Sequence, residues 1–221
     1  MGSETSYPNC GAENETEANF CDSCGAPLQG EPGCQPLGKM SEQEVEMHLQ
    51  QRKEKDRLFK LHPQSPIPEN MRKDFKGLNY FQVNPDYRFV CRLNRYPNPA
   101  TVSMMTSTGE EREYLKVGYI RFNIEGETQT LQTYKATHEH HHEGERESLF
   151  IPFRDATSGK ESYGAARYLE IEETEDGLWL VDFNRAYNPY CAYSEDYSCP
   201  FPPKENWLEV EVRAGEKKFK D

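Results

Sequence analysis

The side chains with the widest chemical range fall in the second half of the chain: Arg154, Glu161, Tyr163, Arg167, Asp182, Asn184, Tyr187, Asn188, Cys191 and Cys199. Asp182 alternates with Leu180 and Leu178 on one face of a strand, and Asn184 follows on that face. A carboxylate among apolar neighbours needs a partner, because an unpaired buried charge is expensive. Arg167, on the strand before the Glu175-Asp176-Gly177 turn, is the expected partner, with Arg154 and Arg185 the other candidates. Such a pair beside Asn184, Asn188 and Tyr187 could hold a polar small molecule, or could be a closed hydrogen-bond network that fixes the chain. Glu161 and Asp182 could also act as two acid/base carboxylates, although nothing in the spacing sets their separation. Cys191 and Cys199 have no histidine in the surrounding motifs to serve as a base. They read first as packed reduced thiols, then as a reversible disulfide, then as a catalytic thiol. Walker and dinucleotide glycine patterns are absent.

These groups need a scaffold. Residues 184–206 run without helical or alternating period, a length that in compact domains marks a functional or disordered loop. Tyr187, Tyr190, Tyr193, Tyr197 and Phe201 give the segment apolar mass, and Pro189, Pro200, Pro202 and Pro203 stiffen it, so an ordered loop over a strand end is expected. Strands are predicted near 87–93, 101–106, 113–124, 128–135, 148–153, 165–173, 178–183 and 207–213, with the cleanest alternation at Ile120, Phe122, Ile124 and at Leu208, Val210, Val212. Ser41 and Glu44 form a capping box for a helix over 41–61 that stops before Pro63. Val45, Leu49, Leu58, Phe59 and Leu61 make its broken apolar stripe, which predicts packing at both ends and a solvated middle. His48 and His62 read as surface or capping groups. The fold class is therefore mainly β: an antiparallel sandwich or small barrel with one leading helix, spanning 41–221.

The formal charge of −12 and pI near 5.1 disfavour nucleic-acid partners. No apolar run approaches a membrane span, and no secretory leader pattern is seen, so a cytoplasmic protein is expected. Seven cysteines with one Cys-x-x-Cys suit reduced thiols and metal better than a disulfide framework. His138, His140, His141 and His142 lie in one tract without scaffold spacing and read as a solvated hairpin tip.

Residues 1–28 resemble the short zinc ribbons in which two Cys-x-x-Cys-Gly knuckles face each other. Cys21, Cys24 and Gly25 form an intact knuckle; in the other, Tyr7 stands where the first cysteine belongs, leaving Cys10 and Gly11. Structural zinc takes four tetrahedral ligands, so the candidate set is Cys10, Cys21, Cys24 and, across the Gly/Pro-rich linker 29–40, Cys34. A degenerate, metal-free module is the alternative. Residues 1–40 carry six acidic side chains and one basic one, which points to a structural or protein-facing role.

The main region resembles the family called domain of unknown function 1684. The resemblance rests on Ser65-Pro66-Ile67, on Phe75-Lys76-Gly77-Leu78-Asn79-Tyr80-Phe81 and on Phe153-Arg154-Asp155-Ala156-Thr157-Ser158-Gly159. It continues through Tyr163-Gly164-Ala165-Ala166-Arg167-Tyr168-Leu169, the run from Asp182 to Tyr193 and the run from Cys199 to Asn206. It covers roughly 45–220 and implies no established activity. Two functions stand as expectations: a small-molecule pocket, catalytic or not, under the 184–206 loop, or a protein-interaction module with a structural zinc knuckle.

Overall fold

The computed structural model describes residues 33–137 and 147–220, together with a two-stranded antiparallel pair, β1 (Thr5–Ser6) and β2 (Glu13–Asn14). Cys10, Cys21, Cys24 and the His138–His142 tract lie outside the described residues. The body is one antiparallel eight-stranded sheet in the order β3-β4-β10-β9-β8-β7-β6-β5. Its strands are β3 (Cys34–Pro36), β4 (Arg88–Cys91), β5 (Asn94–Met105), β6 (Glu111–Ile124), β7 (Glu127–Ala136), β8 (Ser148–Phe153), β9 (Arg167–Glu173) and β10 (Trp179–Asp182). The expected mainly-β class takes the form of a half-barrel.

Curling follows from where the large rings go. Phe89 on β4 meets Phe122 on β6 across the interior at 5.4 Å, and Phe183, just after β10, touches both. Alternate residues of β8 and β9 (Leu149, Ile151, Leu169, Ile171) point into the same core. On β6 the alternation slips from Val117 to Ile120, where a bulge between Lys116 and Gly118 inserts an extra residue. Gly118 is required there, because a Cβ would sit 2.3 Å from the Asn94 carbonyl oxygen.

Two segments depart from expectation. Residues 207–213 form no strand. Leu208, Val210 and Val212 do alternate into the core, but their backbone bonds go to residues 154–156 and to a side chain rather than to a ladder. Burial periodicity describes which side chains point inward, and a plug lying across the mouth of a half-barrel satisfies it as well as a strand does. The expected linker also contributes structure: Cys34–Pro36 pairs with β4, and Cys34 is disulfide-bonded to Cys91. Cys34 is therefore withdrawn from the zinc set, since a sulfur in a disulfide is not a thiolate ligand. The pair also qualifies the expectation that the cysteines are all reduced.

Asn206, fully buried, holds β7 and β8 together where their own pairing is reduced to Tyr134 and Phe150. Its Oδ1 accepts from the Gln132 amide at 2.7 Å, and its Nδ2 donates to the Gln132 and Pro152 carbonyls at 3.0 and 2.8 Å. Pro152 has no amide to offer the ladder, and the asparagine amide stands in for the missing strand contact.

Candidate functional site

The helix α1 (Glu42–Leu61) starts at the capping box expected, with Ser41 Oγ accepting from the Glu44 amide. It docks on the sheet face opposite the core, and by a polar stripe rather than an apolar one. Glu44, His48, Arg52, Lys55 and Phe59 follow helical spacing. Glu44 meets Arg88 at 3.0 Å, Arg52 Nη1 donates to the Phe81 carbonyl at 2.8 Å, and Lys55 pairs with Glu216 at 2.5 Å. Leu49, Leu58 and Leu61, expected to pack, are exposed; Phe59 alone joins a small cluster with Ile67, Phe75 and Tyr193. The middle of the helix is thus tethered by ion pairs, not solvated.

That stripe supplies the partner of Asp182. His48 Nε2 lies 3.1 Å from Asp182 Oδ2, and both side chains are almost fully buried. Arg88 Nε is 3.2 Å from the same oxygen without being aimed at it, so this contact is ionic rather than a formed hydrogen bond. Asn184 donates to Asp182 Oδ1 through its backbone amide and its Nδ2 at 3.0 and 2.9 Å. Burial raises the carboxyl's pKa, but the His48 and Asn184 contacts outweigh it and hold Asp182 below the usual carboxylate range. His48 is a correction: it is a buried partner of Asp182, not a surface group.

Arg167 is likewise corrected. Its guanidinium, fully buried, pairs with Asp155 at 3.1 Å instead of Asp182. It also donates to the carbonyls of Val212, Ala214 and Glu216, fastening the plug segment to β9. Asp155 completes the fastening by accepting from the Val212 amide at 2.8 Å. Gly215 completes the turn there: its φ is +78°, and a Cβ would meet the Ala186 carbonyl oxygen at 2.4 Å. Glu161 pairs with Arg213 and Lys217, not with Asp182, so the two carboxylates form no acid/base pair. Arg154 stacks on Trp207 at 4.5 Å, while the Asn188 backbone amide donates to Glu216 and its Nδ2 donates to the Lys217 carbonyl. Of the ten residues singled out, Asp182 meets Asn184, and Cys191 meets Tyr163 and Cys199; the other five are tied to residues outside the set.

What opens to solvent is different in character. On the outer face, beside α1, Tyr114, Tyr134, Phe150 and Tyr168 rise from four neighbouring strands to line a cleft of about 1020 Å³. Phe150 stacks on Tyr114 at 5.7 Å and meets Tyr168 edge-on at 4.8 Å, and Tyr187 continues the row at 5.8 Å. Residues 187–200 cross this face as the opposite wall. One end is bonded to β9, where Tyr187 and Tyr168 exchange backbone hydrogen bonds; the other is bonded to the β5–β6 turn through Ser107 and Cys199. Tyr187 and Cys199 are the two predicted site residues that line the cleft. The hydroxyls of Tyr134, Tyr168 and Tyr187 are committed to Glu205, the Pro200 carbonyl and Glu170, and of these three rings Tyr187 is the partly exposed one.

Comparison with known proteins fits this architecture. Residues 73–217 match the family described as Protein of unknown function (DUF1684). The chain belongs to that family. Residues 8–28 match a zinc-ribbon domain. A solved structure, the solution NMR structure of an uncharacterized protein of Haloarcula marismortui, is 42% identical, with a TM-score of 0.60 over 79% of this chain and 95% of that one. No curated protein matches.

Within the family region lie the partners of the α1 stripe (Arg88, Asp182 and Glu216) and every ring of the aromatic row. Tyr114, Tyr134, Phe150 and Tyr168 were missed as site residues because each sits in an alternating strand, where an aromatic reads as core. For Tyr134, Phe150 and Tyr168 a signal was available, since each is out of phase with the core residues of its own strand; Tyr114 is in phase with Ile120, Phe122 and Ile124, and only the bulge after Lys116 turns it outward.

Proposed function

We propose that the chain binds a small ring-bearing organic molecule in the cleft walled by residues 187–200. The observation that carries the reading is the continuous aromatic row on an open sheet face. Tyr134 and Tyr168 are the buried floor of the row, Tyr114, Phe150, Tyr187 and Tyr197 are partly exposed along it, and rings so placed in a cleft suit a flat or ring-shaped ligand with an apolar face, heteroaromatic or saccharide. Lys55, Lys135, Glu170 and Asp196 stand around the row and can orient polar substituents.

Protein-observed NMR of the backbone amides, titrated with a panel of small aromatic and saccharide fragments, tests it. Bound fragments should shift the backbone amides of Phe150, Tyr168 and Glu170. Tyr197→Ala should weaken those hits by about ten-fold, the loss of one stacking contact with its buried area. A panel that leaves these amides unmoved sinks the reading. A second reading, a protein-facing surface, is favoured by Met105, Phe201 and Trp207, which are exposed at 48%, 39% and 47%. Phe201 is tied to Met105 by a backbone bond, which places the two side by side.

For the N-terminal module we propose a structural zinc held by Cys10, Cys21 and Cys24, with the fourth position filled from outside the cysteine set. A cytoplasmic setting fits free Cys191 and Cys199, and burial shields the Cys34–Cys91 bond from reductants. No helix among the described residues is long and apolar enough to cross a membrane.

A further inference from the structure

Cys191 and Cys199 are the free cysteines among the described residues, and they meet within the 187–200 segment, where Cys199 lines the cleft and Cys191 lies behind it. Cys191 follows Pro189 in a single 3-10 turn (Tyr190–Ala192), and Cys199 precedes Pro200, whose backbone bridges to Thr106. Both thiols are therefore carried on short, pinned segments. The Cys191 amide donates to Cys199 Sγ at 3.4 Å, which brings the two cysteines side by side.

We propose that Cys191 and Cys199 form a peroxide-reactive thiol–disulfide couple, with Cys191 the attacking thiolate and Cys199 the resolving thiol. Their asymmetry sets the roles. Cys191 is partly exposed, while Cys199 is buried among Ala166 and Tyr168. The hydrogen bond from Cys199, followed by contacts from Ser107 and Tyr163, outweighs burial and brings the Cys191 thiol down to about 6. The same pairing pushes Cys199 up, so it keeps its proton. Tyr163, its hydroxyl 3.9 Å from Cys191 Sγ, is pushed up to about 12 and remains a donor to the thiolate. Hydrogen-bond donors do here what a neighbouring cation does in other reactive cysteines.

In the reaction, the Cys191 thiolate attacks one oxygen of a hydroperoxide and the O–O bond breaks. Cys191 becomes a sulfenic acid, and the other oxygen leaves as hydroxide, or as alkoxide from an organic peroxide. Cys199 sulfur then attacks the sulfenic sulfur; the S–O bond breaks, and the departing hydroxide takes the Cys199 proton to form water. Two thiols lose two electrons in total, and the peroxide gains them. A dithiol reductant restores the pair by exchange. Closing the bond would stitch the turn bearing Tyr190 to the segment bearing Tyr197, two rings already in edge contact at 5.1 Å.

The test uses the full chain. Hydrogen peroxide is added in graded equivalents, thiols are blocked in acid, and peptides are mapped by mass spectrometry, with Cys34–Cys91 as an internal disulfide reference. The linked Cys191–Cys199 peptide should accumulate and disappear on treatment with dithiothreitol. Alkylation of Cys191 in the untreated protein should titrate with a midpoint near 6. In Cys199→Ser, peroxide should leave Cys191 open to a dimedone adduct, and Cys191→Ser should lose it. Absence of the linked peptide at every peroxide level overturns the couple. A Cys191 midpoint at an ordinary thiol value of about 8.5 overturns the assignment of roles. Neither readout depends on ligand binding in the cleft, so failure here is distinguishable from failure of that reading.

Discussion

The Asp182 carboxylate is reached from three directions: His48 on α1, Arg88 on β4 and Asn184 in the following turn. Its folded pKa lies below the ordinary value, so it stabilises the fold fully above the unfolded carboxyl's pKa of about 4. That contribution is lost as pH falls through the folded value. Asp182→Asn should lower stability at neutral pH by about 3 kcal/mol, since His48 and Arg88 lose their anion, and should flatten the decline below about pH 4. Denaturant titrations of both proteins from neutral to acid pH check this; parallel curves would refute it. That Asp182 needs a partner follows from its apolar strand neighbours alone. Which partner it takes does not, because an arginine on the next strand is as plausible by sequence as a histidine far away on a helix.

At the level of elements, α1 was readable at its ends and opaque on its face. The capping box depends on four consecutive residues and survives any tertiary context. The docking face is decided by what lies beneath it, and here Arg88, Asp182 and Glu216 favour a polar stripe over Leu49 and Leu58. Buried ion pairs of this kind contribute less to net stability than to register, because a shift of one residue along the helix leaves every charge unmatched. The 207–213 segment shows a second limit, as period-two burial arises without a ladder. Asn206, just ahead of it, is the tie most specific to this sheet. Asn206→Ala strands the Gln132 amide and the Gln132 and Pro152 carbonyls, and should cost about 2 to 4 kcal/mol. Amide hydrogen exchange should rise most at Gln132, whose amide bonds to Asn206 Oδ1. Exchange that increases evenly across the sheet would mean that β7 and β8 do not rely on this side chain.

Across the whole molecule, the Cys34–Cys91 bond joins positions 57 residues apart and fixes the edge strand next to the N-terminal module. Cys34→Ser should cost about 2 to 4 kcal/mol under oxidising conditions, through the loop it no longer closes. Zinc content of the purified protein should stay unchanged, and a fall in stoichiometry would return Cys34 to the ligand set. No spacing rule could have paired these two residues, since they meet only once the sheet has brought β3 beside β4.

The Arg167 fastening has a consequence for how the chain is made. Arg167 and Asp155 leave the ribosome 45 and 57 residues before Val212, whose carbonyl and amide they bind. Until that stretch emerges, the half-barrel has no stopper and a guanidinium faces its greasy mouth with only Asp155 to bind, the Val212, Ala214 and Glu216 carbonyls still missing. Nascent chains arrested short of Val212 should therefore be sticky and chaperone-bound, with the cleft wall setting only in the last moments of synthesis.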